Sequence, residues 1–394
     1  MRTDFYGNLR THLETLEANG TYKHLRYLKS SMAARTEVEG FGEAIVLCSN
    51  NYIGLADKPE VVAAAKESLD KYGCGASSVR FICGTFDIHR KLEENIADFL
   101  GMKASLTYSS CWAANTGIIP ALLSPGDAVL SDELNHASII DGCRATAKDV
   151  TRAVYRHADM TDLEEKLRDT AECGTVLIVT DGVFSMEGDI APLPEIIALA
   201  KKYNALVMVN DSHATGVIGA TGRGTAEYHG ITEGVDIISG TLGKALGGAG
   251  GGFIAASRDV CEMLIQKSRP HLFSNALPPV LCAIGSAAID YLRENPQIVT
   301  SLNDKTNFMR DKIKAAGLKP MEGDSAIIPI MLGDTARAIR AAELMMQKGL
   351  YTIGFGFPVV PEGHARVRLQ ISDALSYDDL KRAVGIIVDA IAEA

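Results

Sequence analysis

The stretch "SGTLGKALGGAGGGF", residues 239–253, sets one lysine, Lys244, behind a small polar turn and ahead of a glycine run. A short apolar run, "DIISGTL", leads into it, and a second, "GGFIAA", resumes directly after it. The lysine therefore sits between two expected strands, in a loop whose glycines let the backbone pass close to its neighbours. Working outward, further β-rich runs ("AIVLCSN", "SLTYSS", "AVLSD", "TVLIVTD", "ALVMVND") alternate with segments such as "KLEENIADFLGM" and "PEIIALAKKYNA". In those segments apolar residues recur at helical three- and four-residue steps. Alternation of this kind predicts an α/β fold, a parallel sheet covered by helices.

After about residue 285 the pattern changes to long helices with few strands ("SAIIPIML", "ARVRLQIS"). The expected organisation is a helical arm over 1–45, a large domain over 46–285 and a smaller α+β domain over 286–394. The chain has 394 residues, 47% hydrophobic and 22% charged, with a formal charge of −10. That acidity argues against nucleic acid or a membrane surface as partner, since phosphate is held mainly by basic residues. No apolar run approaches the roughly 18 residues of a membrane span, and the polar N-terminus carries no apolar signal core. The eight cysteines form no C-x-x-C pair, which fits reduced thiols and a cytoplasmic location. The nine histidines are scattered, so no metal site is expected.

Polar residues close or succeed six of the seven runs: Asn50 and Asn51, Ser109 to Trp112, His136, Asp181 and Ser185, Asp211 and His213, Thr241 and Lys244. In open α/β sheets ligands bind beyond the carboxyl ends of the strands, so these residues are expected to converge on one cleft. Asp211 and His213, two apart at a strand end, are expected to share a face with Ser212 on the other. That parity excludes a Ser-His-Asp triad through Ser212. An amine near a carboxylate able to pair with a pyridinium nitrogen is what pyridoxal phosphate (PLP) demands. "YSSCWAANTGIIPALL" supplies a turn running into a helix, whose first N–H groups favour a phosphate. The patterns G-x-G-x-x-G, G-x-S-x-G and H-E-x-x-H are absent, and Ile238 and Ala245 break a P-loop.

"DGVFSMEGDIAPL", "NDSHATGVIGATGRG" and "GTLGKALGGAGGGF" resemble the α-oxoamine synthase family, PLP enzymes that join an amino acid to an acyl-CoA. "GASSVRFICGT", "LNHASIIDG", "KSRPHLFSN" and "GFGFPVVPEGHARVRLQIS" resemble the members that interconvert glycine plus acetyl-CoA with 2-amino-3-oxobutanoate plus CoA, in threonine breakdown to glycine. The likeness runs over nearly the whole chain. It implies a fold-type-I PLP-dependent transferase with a mostly parallel seven-stranded sheet, a smaller C-terminal domain and a homodimer with shared active sites. It also implies that Lys244 holds the cofactor covalently, Asp211 meets the ring nitrogen and His136 stacks on the ring. His213 and Ser185 are implied at the ring hydroxyl, and Cys111, Trp112 and Thr241 at the phosphate. Ser274 and Asn275 would reach the partner subunit's cofactor. Asn51, His136 and Arg368 would bind substrate, Arg368 clamping the carboxylate; strand pattern alone does not separate it from Arg366. Trp112 stands where phenylalanine is usual, adding bulk near the acyl group. A decarboxylating relative such as 8-amino-7-oxononanoate synthase, or a fold-type-I aminotransferase, is the alternative reading.

Overall fold

The computed structural model describes residues 2–394, with side chains from Asp4 onward. Strands β1 (Arg35–Val38) and β2 (Gly42–Val46) come first. β3 (Ala104–Tyr108), β4 (Ala128–Asp132), β5 (Thr151–Tyr155), β6 (Val176–Asp181), β7 (Leu206–Asn210), β8 (Ile237–Thr241) and β9 (Gly252–Ala256) form one seven-stranded sheet, and β10 (Ile327–Gly333), β11 (Leu350–Tyr351), β12 (Ile353–Phe355) and β13 (Ala365–Gln370) come after it in the chain. The order in the large sheet is β3-β9-β8-β7-β6-β4-β5. It is parallel except at β9, which runs antiparallel to both β3 and β8.

Six of the seven apolar runs became strands of this sheet. The exception is "AIVLCSN", where β2 instead pairs with β1 and β11 in a separate three-stranded sheet. The missing strand is β5, "TRAVY", an edge strand exposed along most of its length. Burial on both faces makes a strand read as an apolar run, and an edge strand lacks that pressure. β4 and β6, by contrast, are buried at every position.

The chain divides into two compact units, one of 50–303 with 323–326, the other of 1–49, 304–322 and 327–394. The boundary expected at 285 falls inside the helix Pro279–Glu294, which stays with the larger unit because its face of Cys282, Ala283, Gly285, Ser286 and Ile289 is buried there. The expected arm is not a separate body: β1 and β2 share a sheet with β11, and Leu47 C=O accepts from Gln370 N–H of β13 at 2.8 Å. No helix among the described residues is long and apolar enough to cross a membrane.

Two cores sandwich the large sheet. Leu106, Ile118, Val129, Val179, Met208 and Ile254 pack on one side. Leu130, Tyr155, Ile178, Phe184, Ile196 and Val207 pack on the other. Alternating positions of β4, β6 and β7 supply both, so the sheet is rigid where its carboxyl ends present polar side chains.

Candidate active site

The helix Cys111–Leu122 begins at the carboxyl end of β3, capped by Ser110, whose Oγ accepts Ala113 N–H at 3.0 Å. The first N–H groups of a helix have no partner inside it, so those of Cys111 and Trp112 are left for a ligand. β9 starts directly against this turn, with a bridge between Ser110 and Gly251. A β-carbon at Gly252 would collide with the backbone of Cys111. The glycine run is thus needed for close approach, and it brings the lysine loop and the helix N-terminus to one place. Thr241, ending β8, accepts Gly243 N–H at 3.1 Å and fixes the turn that carries Lys244.

Between these parts lies a cavity of about 210 Å³, bounded by Ser110, Cys111 and Trp112 on one side and by Thr241 and Lys244 on another. Asn115, His136, Ser138, Asp181, Asn210, Ser212 and His213 complete its described lining. The volume lies below the roughly 300 Å³ where pockets for drug-sized ligands begin, room for one substituted ring. His136 caps the helix Ala137–Arg144 through its Nδ1, and its ring meets Trp112 edge to face at 5.8 Å. Burial, and then the charge of Lys244, push its pKa down, so the ring is neutral at pH 7. His213 Nδ1 lies 2.7 Å from the Tyr52 hydroxyl, which sets its orientation. Burial pushes Asp181 up to about 7, against the hydrogen bonds of Asn210 and His136 N–H and the charge of Lys244.

Of the residues expected from sequence, Ser110, Cys111, Trp112, His136, Asp181, His213, Thr241 and Lys244 come together here. Asp211 does not: it is not among the described residues lining the cavity. β7 ends at Asn210, and the chain then turns, Ala214 and Thr215 N–H both donating to Asp211 C=O at 2.9 Å. Strand parity therefore fails one residue too early. The Asp211 carboxylate accepts Thr225 N–H at 3.0 Å and Thr225 Oγ1–H at 2.7 Å. It packs so tightly on Gly224, at φ +90°, that no β-carbon fits there. Its partners are structural. The cavity positions that the sequence did not point to are Asn210, Asn115, Ser138 and Ser212. Ser212, expected on the face opposite His213, lines the cavity beside it because the strand and its parity end at Asn210, and at Asn210 the signal was a polar residue closing an apolar run.

Ser185, half-buried, also lies outside the described lining, as does Asn51, whose Oδ1 accepts Ala56 N–H at 3.2 Å. Ser274 and Asn275 are exposed just beyond the helix Arg269–Phe273. Arg368 belongs to the other unit, on β13, where its guanidinium lies 4.7 Å from the Phe355 ring and donates to Gln370 Oε1. The structure separates it from Arg366, which is 2% exposed and donates to His364 C=O at 3.0 Å.

The donor set fits a phosphorylated pyridine aldehyde: helix N–H groups and a hydroxyl at one end, an amine beside a neutral imidazole, and a buried carboxylate. Asn115 Oδ1, buried in the lining without a hydrogen-bond partner, adds an unused acceptor. Sheet and site together are those of a fold-type-I PLP-dependent transferase. The chain belongs to the aminotransferase class I and II family, whose model matches residues 43–387, and within it to the α-oxoamine synthases. It is 48% identical to the mitochondrial 2-amino-3-ketobutyrate coenzyme A ligase of Bos taurus over 384 residues, 97% of this chain and 91% of that one. It is 43% identical to the 8-amino-7-oxononanoate synthase of Citrifermentans bemidjiense, over 95% of this chain and 96% of that one. The solved structure of serine palmitoyltransferase (SPT) with its PLP internal aldimine superposes with a TM-score of 0.92 at 30% identity, covering 98% of this chain and 97% of that one.

Proposed function

We propose that this chain is a PLP-dependent glycine C-acetyltransferase, interconverting glycine plus acetyl-CoA with 2-amino-3-oxobutanoate plus CoA. The observation that carries the reading is the convergence of Lys244, His136, Asp181 and the Cys111–Leu122 helix N-terminus on one cavity. Bound PLP would supply an electrophilic aldehyde and an electron-withdrawing ring that acidifies the α-C–H of an attached amino acid.

The chain's own residues do the rest. Lys244 Nζ, in the cavity wall, would hold the aldehyde carbon of the cofactor and would serve as the base for the glycine α-proton. The N–H groups of Cys111 and Trp112 and the Thr241 hydroxyl hold the phosphate. His136, neutral, presents a flat apolar face to the ring without adding positive charge. His213, oriented by Tyr52, and Ser185 are assigned to the ring hydroxyl. Arg368 binds the substrate carboxylate by a bidentate pair. In the net reaction a C–C bond forms at the acetyl carbonyl carbon, the C–S bond breaks, and the glycine α-proton ends on the CoA thiol. The bulk of Trp112, 45% exposed at the cavity wall, favours a short acyl group.

Ser274 and Asn275 are assigned to the partner's cofactor in a homodimer. Their exposure supports the reading, as does Ala276 N–H donating to Ser78 C=O at 3.0 Å, a link that joins the exposed Phe273 to the segment carrying exposed Phe81 and Ile82. The location proposed is the cytoplasm, supported by eight cysteines that are all free. The test is to assay glycine with thioesters of increasing chain length and identify products by mass. Formation of 2-amino-3-oxobutanoate from acetyl-CoA without CO2 release supports the reading. Release of CO2 in step with CoA, or preference for long thioesters, moves it to a decarboxylating synthase; amino transfer to a keto acid moves it to an aminotransferase.

A further inference from the structure

Asp181 and Asn210 end the adjacent parallel strands β6 and β7 and face each other in register. Both line the cavity, at 3% and 5% exposure, and Asp181 is the only carboxylate among the described residues lining it. Chemistry fixes the orientation of the amide. With Asp181 ionised, the state a bound cation favours, the carboxylate only accepts, so the Asn210 group 2.7 Å from Asp181 Oδ1 is the Nδ2 donor. Asn210 Oδ1 is then the acceptor, reached by Ser212 Oγ at 2.7 Å, Ser239 Oγ at 3.3 Å and Cys111 Sγ at 3.6 Å. Those three donors are rotors that can turn elsewhere. The donors on Asp181 cannot: Oδ1 holds the planar amide, and Oδ2 holds His136 N–H at 2.9 Å.

Given the reading of the cavity as a PLP site, on which this rests, we propose that Asn210 Oδ1 is the acceptor that meets the ring nitrogen, with Asp181 as the charge behind it. The proton on that nitrogen is then held through a neutral amide instead of directly by a carboxylate. The donation from Asn210 Nδ2 to Asp181 polarises the amide and makes its oxygen a better acceptor, as in any hydrogen-bond chain at low dielectric. Burial of Asp181 beyond water is compensated when a cation arrives two bonds of the chain away. Asp181 in this scheme is a positioning residue, acting on the ring through Asn210. The arrangement predicts a weaker electron sink than a direct carboxylate provides, and one that a single substitution strengthens.

The test uses the full chain loaded with PLP labelled with ¹⁵N in the ring. Its readouts are the ring ¹⁵N resonance, the PLP dissociation constant, and the Lys244 adduct after borohydride. In the wild type the resonance is expected at the protonated position. Asp181→Asn should move it toward neutral pyridine and weaken PLP by about tenfold, with the Lys244 adduct retained. Asn210→Leu should do the same with Asp181 intact, which keeps the test sound if Asp181→Asn does not fold. Asn210→Asp should keep the protonated resonance and restore it in the Asp181→Asn background, whereas Asp211→Asn should leave it in place. An adduct on Lys244 with a resonance indifferent to Asp181→Asn and Asn210→Leu, or one moved by Asp211→Asn, overturns this inference alone. Absence of the Lys244 adduct in the wild type overturns the PLP reading beneath it.

Discussion

Asp132 and Asp181 close the neighbouring strands β4 and β6, and both are 3% exposed, yet the two carboxylates are completed in opposite ways. Asp132 accepts Leu134 N–H at 2.9 Å, Ala158 N–H at 3.0 Å and His157 Nδ1–H at 3.0 Å. The other nitrogen of His157 meets Asp189 Oδ2 at 2.7 Å, and its ring stands edge to face on Phe184 at 4.4 Å. Burial alone would push His157 down, but the hydrogen bonds and charges of Asp132 and Asp189 outweigh it and hold the imidazolium up to about 10. That cluster carries its own cation and ties the Phe184–Asp189 turn to β4. Asp181 receives only an amide and a backbone N–H, and burial pushes it up to about 7. A buried charge whose partners are all internal is a structural tie. One completed by neutral donors beside a cavity is prepared for a ligand's charge.

The contrast breaks if the lysine cavity proves structural. Lys244→Ala should lower turnover by at least about 10³-fold, with the melting temperature of the apoprotein nearly unchanged; steady-state CoA release and calorimetry measure both. A large loss of stability with residual activity would place Lys244 in the first class instead.

The closed cluster gives the converse result. His157→Gln leaves Asp132 and Asp189 without their cation and should cost roughly 3 kcal/mol in urea unfolding, with little change in PLP affinity. Its pH dependence is set by the sign of the shift. His157 is raised in the folded state, so its contribution is complete below the unfolded value of about 6.5 and is lost as pH rises through about 10. Stability of the wild type should fall across that window, and His157→Gln should flatten the fall.

Asp211 sharpens the comparison, being a buried carboxylate whose two oxygens accept the N–H and the hydroxyl of Thr225. Thr225→Val removes one donor and should cost about 1–3 kcal/mol, without shifting PLP affinity. Burial raises Asp211 to about 6 and Asp181 to about 7. Raised carboxyls contribute stability fully below the unfolded value of about 4 and lose it as pH climbs through the folded value. Apoprotein stability should therefore decline from about pH 4 to 7, and Asp181→Asn should make that decline shallower from about 4 to 6 and abolish it between about 6 and 7, where Asp181 alone still titrates. The smallest effect is expected from Ser110→Ala, about 1 kcal/mol for a lost helix cap, detected in thermal unfolding.

By itself the sequence determined the alternation of strands and helices, the lysine loop and the helix N-terminus opposite it. Each rests on local physics: apolar runs buried on both faces, glycines where backbones nearly touch, and a small polar cap before a helix. Arg368 was nominated by resemblance, and only the burial of Arg366 against His364 and Met321 separates the pair. β5 left no apolar trace because an edge strand has little to bury. The tertiary structure alone decided which carboxylate reaches the cavity. A strand's parity holds only while the strand lasts, and β7 stops at Asn210, one residue short of Asp211. Asp181, 29 residues earlier in sequence than Asn210, becomes its hydrogen-bond partner because parallel strands align their carboxyl ends. That alignment is a property of the sheet, and no local pattern in the chain encodes it.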